Sequence, residues 1–137
     1  QMVHIPDTTS LMGYSLVDSG LQIMLERGVP DVIEANLDEI LFPFLERNGR
    51  TIDQLEHLVF HPGSIKILAR TEALLAPHGK DLAHSHEVLA QHGNMSSATV
   101  LYILERVLDS NTAAGDLGLM LSFGPGFCGQ TLLLEWR

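Results

Sequence analysis

A histidine that runs into a forced turn is the first feature able to do chemistry. His57-Leu58-Val59-Phe60 reads as a short apolar strand, and it stops at His61-Pro62-Gly63-Ser64. Open α/β sheets gather their sites at the carboxyl ends of strands. Pro62 and Gly63 force a turn there, and the helix behind offers free N–H groups. An imidazole held by such a backbone can donate a hydrogen bond from Nε2 into a cleft. The alternative is a histidine that only caps the next helix.

Two further segments have the residue types of a site. His92-Gly93-Asn94-Met95-Ser96-Ser97-Ala98 joins two predicted helices. Gly93 permits a sharp backbone, Asn94 tolerates a left-handed or bridge conformation, and Ser96 or Ser97 can cap the next helix. Taken alone, this is ordinary turn and cap chemistry. Phe123-Gly124-Pro125-Gly126-Phe127 reads as a hairpin turn, or as a glycine loop that lets a ligand approach the backbone closely.

Other candidates weigh less. His84-Ser85-His86 has two metal-ligating side chains but lies in a helix-rich stretch with no third ligand beside it. Cys128 follows the glycine turn, between predicted strands, and reads as structural, because a nucleophilic thiol wants a helix N-terminus or a cationic neighbour. Neither a Gly-x-Ser-x-Gly elbow nor a phosphate-loop motif is present. Glu34, Asp38, Glu39, Glu46 and Glu105 fall on exposed helix faces. No metal site is expected.

The elements that must position these residues follow from hydrophobic periodicity. Gln1 to Pro6 looks like a strand. Ile33, Leu37, Ile40, Leu41, Phe44 and Leu45 form one stripe of a helix over about Val32 to Glu46. Pro43 should kink or shorten it, and Asn48-Gly49 ends it. Thr51 to Gln54 has capping-box spacing. A helix follows with Ile65, Leu68, Ala69 and Leu75 as its inward side, broken at Pro77-His78-Gly79. Others run from about Ser85 to Gln91 and from Ala98 to Leu108, the last with Val100, Leu101, Leu104, Val107 and Leu108 as its apolar face. Leu117 to Phe123 and Thr131 to Trp136 read as antiparallel neighbours. Strands alternating with helices and closed by a hairpin favour a mixed sheet covered by helices.

Composition sets the outer bounds. The chain has 137 residues, 45% hydrophobic and 18% charged, enough for one domain spanning residues 1–137 with a substantial core. Eight basic against 17 acidic residues give a net charge of −9, which argues against nucleic acid and anionic membranes as partners. No apolar run reaches the roughly 20 residues of a membrane span. A single cysteine fits a reducing cytoplasm.

Taken together, the segments resemble one family. His61-Pro62-Gly63, then Asn94 33 residues after the histidine in Gly93-Asn94-Met95-Ser96-Ser97-Ala98, then Phe123-Gly124-Pro125-Gly126, is similar to the carboxyl-terminal half of a type III polyketide synthase, the chalcone and stilbene synthase family. The opening, from Ile5-Pro6-Asp7-Thr8-Thr9 to Gly20-Leu21-Gln22-Ile23-Met24-Leu25, looks more like bacterial alkylpyrone-type members than plant ones. Tyr14 stands where the family often has Trp, and Ser64 where it often has Gly. Both departures bear on local cavity shape.

The resemblance implies a thiolase-like half: a mixed five-stranded sheet between helices. It implies a decarboxylative Claisen condensation of an acyl-coenzyme A starter with malonyl-coenzyme A. His61 and Asn94 would form the oxyanion hole, and His61 would also pair with a nucleophilic cysteine. That cysteine belongs to an amino-terminal half of the same polypeptide, which lies outside this chain; Cys128 does not match its position. Ser96, Phe123, Gly124 and Pro125 would shape the active-site wall. Ile23 would border the passage into the cavity, with room for a long acyl starter. Gly63 and Lys66 would lie near the coenzyme A phosphates. The expected partners are that amino-terminal half, a second subunit in a homodimer, and coenzyme A thioesters as substrates, with no cofactor. The isolated chain is expected to self-associate and to lack turnover. Two other readings stay open: a ketoacyl synthase III-like enzyme that takes its chain from carrier protein, and a thiolase-fold module that binds without catalysis.

Overall fold

The computed structural model describes residues 1–137. Six strands and four α-helices follow in chain order: β1 (Met2–His4), β2 (Met12–Val17), β3 (Gly20–Leu25), α1 (Val29–Arg47), β4 (His57–Phe60), α2 (Ile65–Leu75), α3 (Ala83–His92), α4 (Thr99–Leu108), β5 (Leu117–Gly124) and β6 (Cys128–Glu135). The main sheet has the order β1-β6-β5-β4. β4 and β5 run parallel, whereas β5–β6 and β6–β1 are antiparallel, so the sheet is mixed.

Alternation along β4 and β5 sorts side chains to two faces. Leu58 and Phe60, with Leu117, Leu119 and Leu121, join the larger core with α1 and α2. Val59 and Met120 pack on the other side with Val88 of α3 and Val100, Ile103 and Val107 of α4. Burying each such aliphatic side chain contributes roughly 1.5–3 kcal/mol. The expected stripe of α1 is the buried one: Ile33, Leu37, Ile40, Leu41, Phe44 and Leu45 all lie in the core. Its fit to the sheet is close, since a Cβ on Gly129 of β6 would sit 2.9 Å from Ile40 Cδ1.

Several expectations need correction. The main sheet has four strands, not five. The remaining two, β2 and β3, form a separate antiparallel hairpin. Glu26 N–H to the Leu11 carbonyl (2.8 Å) continues its ladder at the base, and Gly126 N–H to the Met12 carbonyl (3.3 Å) ties it to the turn between β5 and β6. Pro43 does not shorten α1, which runs on to Arg47. The carbonyl deprived of a donor by Pro43 is that of exposed Glu39, where water can serve. Ser96 and Ser97 do not cap α4. They form a single 3-10 turn ahead of it, and Thr99 Oγ1 accepts the Met95 N–H at 2.9 Å instead. The left-handed residue of that loop is Ser96 (φ 58°), not Asn94.

Candidate active site

The site lies at the carboxyl end of the parallel pair. His61 directly follows β4, and its N–H donates to the Leu121 carbonyl at 2.9 Å, so the β4–β5 ladder reaches the histidine itself. The chain then turns: Gly63 N–H bonds the His61 carbonyl at 3.0 Å. Ser64 ends the turn as the N-cap of α2, its hydroxyl accepting the Ile67 N–H at 3.3 Å. The cap of α2 is therefore supplied by the serine and not by the histidine.

Both candidate donors border Gly63. A Cβ there would lie 3.8 Å from His61 Nε2 and 2.9 Å from Ile67 Cδ1, so the imidazole edge borders the glycine and leaves little room for a side chain. From the other side, Asn94 Nδ2 donates to the Gly63 carbonyl at 3.0 Å. Its Oδ1 accepts the Ser96 N–H at 2.8 Å, which fixes the amide's orientation. A primary amide has two N–H donors. One is taken by Gly63 and the second is free.

His61 is partly buried, and loss of hydration pushes its imidazole below the usual pKa. The ring is therefore neutral near pH 7, and a neutral imidazole has one N–H to give. No protein group hydrogen-bonds either ring nitrogen. The arrangement thus offers two neutral donors flanking one backbone turn, which suits an oxygen that gains negative charge during a reaction.

The residues expected to shape the wall on β5 and the turn after it sit at the same end of the sheet. Phe123 and Gly124 close β5, and the turn through exposed Pro125 leads to Cys128 at the start of β6. Gly126 there takes φ 123°, a conformation few other residues adopt. Phe123 stacks on buried Phe127 with centroids 5.5 Å apart. Cys128 is buried, with Sγ 3.5 Å from the Pro125 carbonyl. Ile23 lies on the hairpin opposite Tyr14, and both are exposed. Lys66 is an exposed residue in the first turn of α2. His84 and His86 do not converge: one lies 3.6 Å from Glu87 and the other pairs with Glu72 at 3.0 Å.

Sequence reasoning passed over three features. Ser85 Oγ donates to the Phe60 carbonyl at 2.8 Å from a fully buried position. At the opposite end of the sheet, His57 Nε2 lies 2.9 Å from Asp116 Oδ2, and the Trp136 ring packs 4.6 Å from the His57 ring. These pairs join residues 25 to 79 positions apart in the chain, and no local spacing announces them.

The chalcone and stilbene synthase C-terminal domain profile matches residues 1–136. The chain therefore belongs to that family, and its thiolase-like α/β fold is the fold of type III polyketide synthases. It is 39% identical over 133 residues to a 1,3,6,8-tetrahydroxynaphthalene synthase of Streptomyces peucetius subsp. caesius, covering 96% of this chain and 35% of that protein. A putative chalcone synthase of Bacillus subtilis is 28% identical, over 100% of this chain and 38% of that protein. The crystal structure of the 1,3,6,8-tetrahydroxynaphthalene synthase of Streptomyces coelicolor A3(2), a bacterial type III polyketide synthase, superposes with a TM-score of 0.88 at 27% identity, over 100% of this chain and 39% of that one. The chain thus spans little more than a third of the length of these relatives.

Proposed function

We propose that this chain is the carboxyl-terminal half of a type III polyketide synthase that condenses an acyl-coenzyme A starter with malonyl-coenzyme A. In the reaction, the bond between the malonyl α-carbon and its carboxylate breaks, and carbon dioxide leaves. The electron pair moves onto the thioester oxygen, giving an enolate. The enolate carbon then attacks an acyl group held on a cysteine thiolate of the amino-terminal half. The carbon–sulfur bond breaks, and the thiolate departs. Loss of carbon dioxide itself generates the carbanion, so the scheme requires no metal or prosthetic group.

His61 and the free N–H of Asn94 are the proposed donors to the enolate oxygen. The observation that carries this reading is the Asn94 Nδ2 to Gly63 carbonyl bond of 3.0 Å, which holds the amide beside the residue the imidazole borders. Ser96 orients the amide through its N–H. Phe123, Gly124 and Pro125 wall the cavity, Ile23 borders its entrance, and Gly63 and Lys66 lie toward the coenzyme A phosphates.

Exposed apolar surface supports a larger whole. Leu16 and Leu21 of the hairpin are 84% and 71% exposed, and Leu101 and Leu108 of α4 lie open as well. Surfaces of this kind mark contacts with other parts of a protein. The remaining chain and a second subunit are the proposed cover. No helix is long and apolar enough to cross a membrane, and the proposed setting is the cytoplasm.

The test is turnover by the full-length protein with malonyl-coenzyme A and a panel of starters, without carrier protein. Chain-extended products that vanish in His61→Ala are expected, with long acyl starters accepted. Turnover only with carrier-bound substrates would reassign the chain to the ketoacyl synthases, and absence of any condensation would leave a binding module.

A further inference from the structure

Phe60 and His61 present their backbone groups in opposite directions, as successive residues of a strand must. The His61 N–H faces β5 and bonds Leu121. The Phe60 carbonyl therefore faces the open edge of the sheet, since β4 is the last strand. Phe60 is buried, so water does not serve that oxygen. Ser85 of α3 does, with its hydroxyl 2.8 Å away.

We infer that Ser85 is a positioning residue for the reaction, holding the Phe60–His61 peptide so that the imidazole and the Asn94 amide keep their separation. The inference rests on the proposed function above and deepens it. Ser85 and Asn94 lie on one continuous stretch, α3 and the loop leaving it. Ser85 pins that stretch to the residue before His61, and Asn94 pins it to Gly63 two residues after. The four-residue segment carrying the histidine is thus clamped at both ends by one element. Removing the Ser85 hydroxyl leaves a buried carbonyl without a donor. The peptide will then turn or shift to find one, and His61 moves with it.

The full-length protein tests this by malonyl-coenzyme A decarboxylation, measured without starter. Ser85→Ala is expected to lower kcat by roughly 10- to 100-fold, the scale of a displacement near 1 Å, with KM little changed. Ser85→Thr keeps the hydroxyl and should restore most of kcat. Thr71→Val is the control: it removes another buried hydroxyl, one that bonds the Ile67 carbonyl at 2.9 Å within α2, and should cost stability alone. If Ser85→Ala does not fold, Ser85→Cys, a weaker donor of similar size, should show an intermediate loss. Wild-type kcat in Ser85→Ala or Ser85→Cys, or equal losses in Ser85→Ala and Thr71→Val that track the folded fraction, would overturn the inference. His61→Ala separates the two proposals. If it abolishes decarboxylation while Ser85→Ala does not, only the positioning role fails; if it leaves decarboxylation intact, the proposed function itself fails.

Discussion

Asn94→Asp separates turn chemistry from donor chemistry at a single atom. The side chain does both in the structure: Oδ1 accepts the Ser96 N–H at 2.8 Å, and Nδ2 donates to the Gly63 carbonyl at 3.0 Å. Aspartate keeps the first bond and the shape. It replaces both N–H groups with an acceptor oxygen, which faces the Gly63 carbonyl and any enolate. Losing the Gly63 bond at an exposed loop costs about 1 kcal/mol of stability, and in a large protein that moves Tm by about 2–4 °C. Losing an oxyanion donor costs about 2.7–4 kcal/mol of barrier, roughly a 100- to 1,000-fold fall in kcat. The two effects differ enough to be told apart in one preparation. Decarboxylation of malonyl-coenzyme A by the full-length variant, with thermal unfolding alongside, is the assay. Asn94→Ala, which removes turn and donor together, should lose as much activity as Asn94→Asp. The reasoning fails if Asn94→Asp keeps more than about a tenth of wild-type kcat, given the scale set by a missing donor. It fails also if only Asn94→Ala is impaired, because the side chain would then serve the turn alone.

Two further outcomes concern the far end of the sheet. Asp116 is held below the usual carboxylate range, first by the Ala113 N–H at 2.7 Å and then by its hydrogen bond to His57. A carboxyl whose folded pKa is depressed stabilises the fold above its unfolded pKa, and loses that contribution as pH falls through the folded value. Urea midpoints of the chain should therefore drop below the usual carboxylate range, and Asp116→Asn should lower the neutral-pH midpoint and flatten that acid limb. An unchanged acid limb in the variant would exclude Asp116 as its source. Gly118→Ala should destabilise the chain by about 1–3 kcal/mol through overpacking, because a Cβ there would lie 2.6 Å from Trp136 Cζ3 and 3.2 Å from the His57 carbonyl. Trp136 is the single tryptophan, so its emission reports the displacement; an unaltered spectrum with an unaltered midpoint would refute the packing argument.

The layered architecture was legible in the amino-acid sequence because burial imposes a period. The stripe of α1 and the apolar run of β4 repeat at the spacing their element demands and are buried as expected. In α4 Val100 and Val107 are buried, but Leu101 and Leu108 of the expected apolar face are exposed and Ile103 is buried instead. The turn at His61-Pro62-Gly63 and the closing hairpin were legible for a related reason, since proline and glycine restrict or free the backbone at single positions. The hairpin of β2 and β3 escaped because its apolar residues face outward, and a pattern read as burial says nothing about which burial. Pro43 misled because its cost falls on a carbonyl that water can reach.

What only the tertiary structure decided is which distant residues share a site. The His61–Asn94 spacing, 33 residues in the chain, became a shared turn only when α3 returned to the open edge of β4 and set Asn94 against Gly63. Ser85 against Phe60, and His57 against Asp116, arose the same way. Helical and strand periods are local consequences of backbone geometry, so they can be read along the chain. Pairings across the fold depend on how packed layers bring the ends of those elements together, and no period in the sequence encodes them.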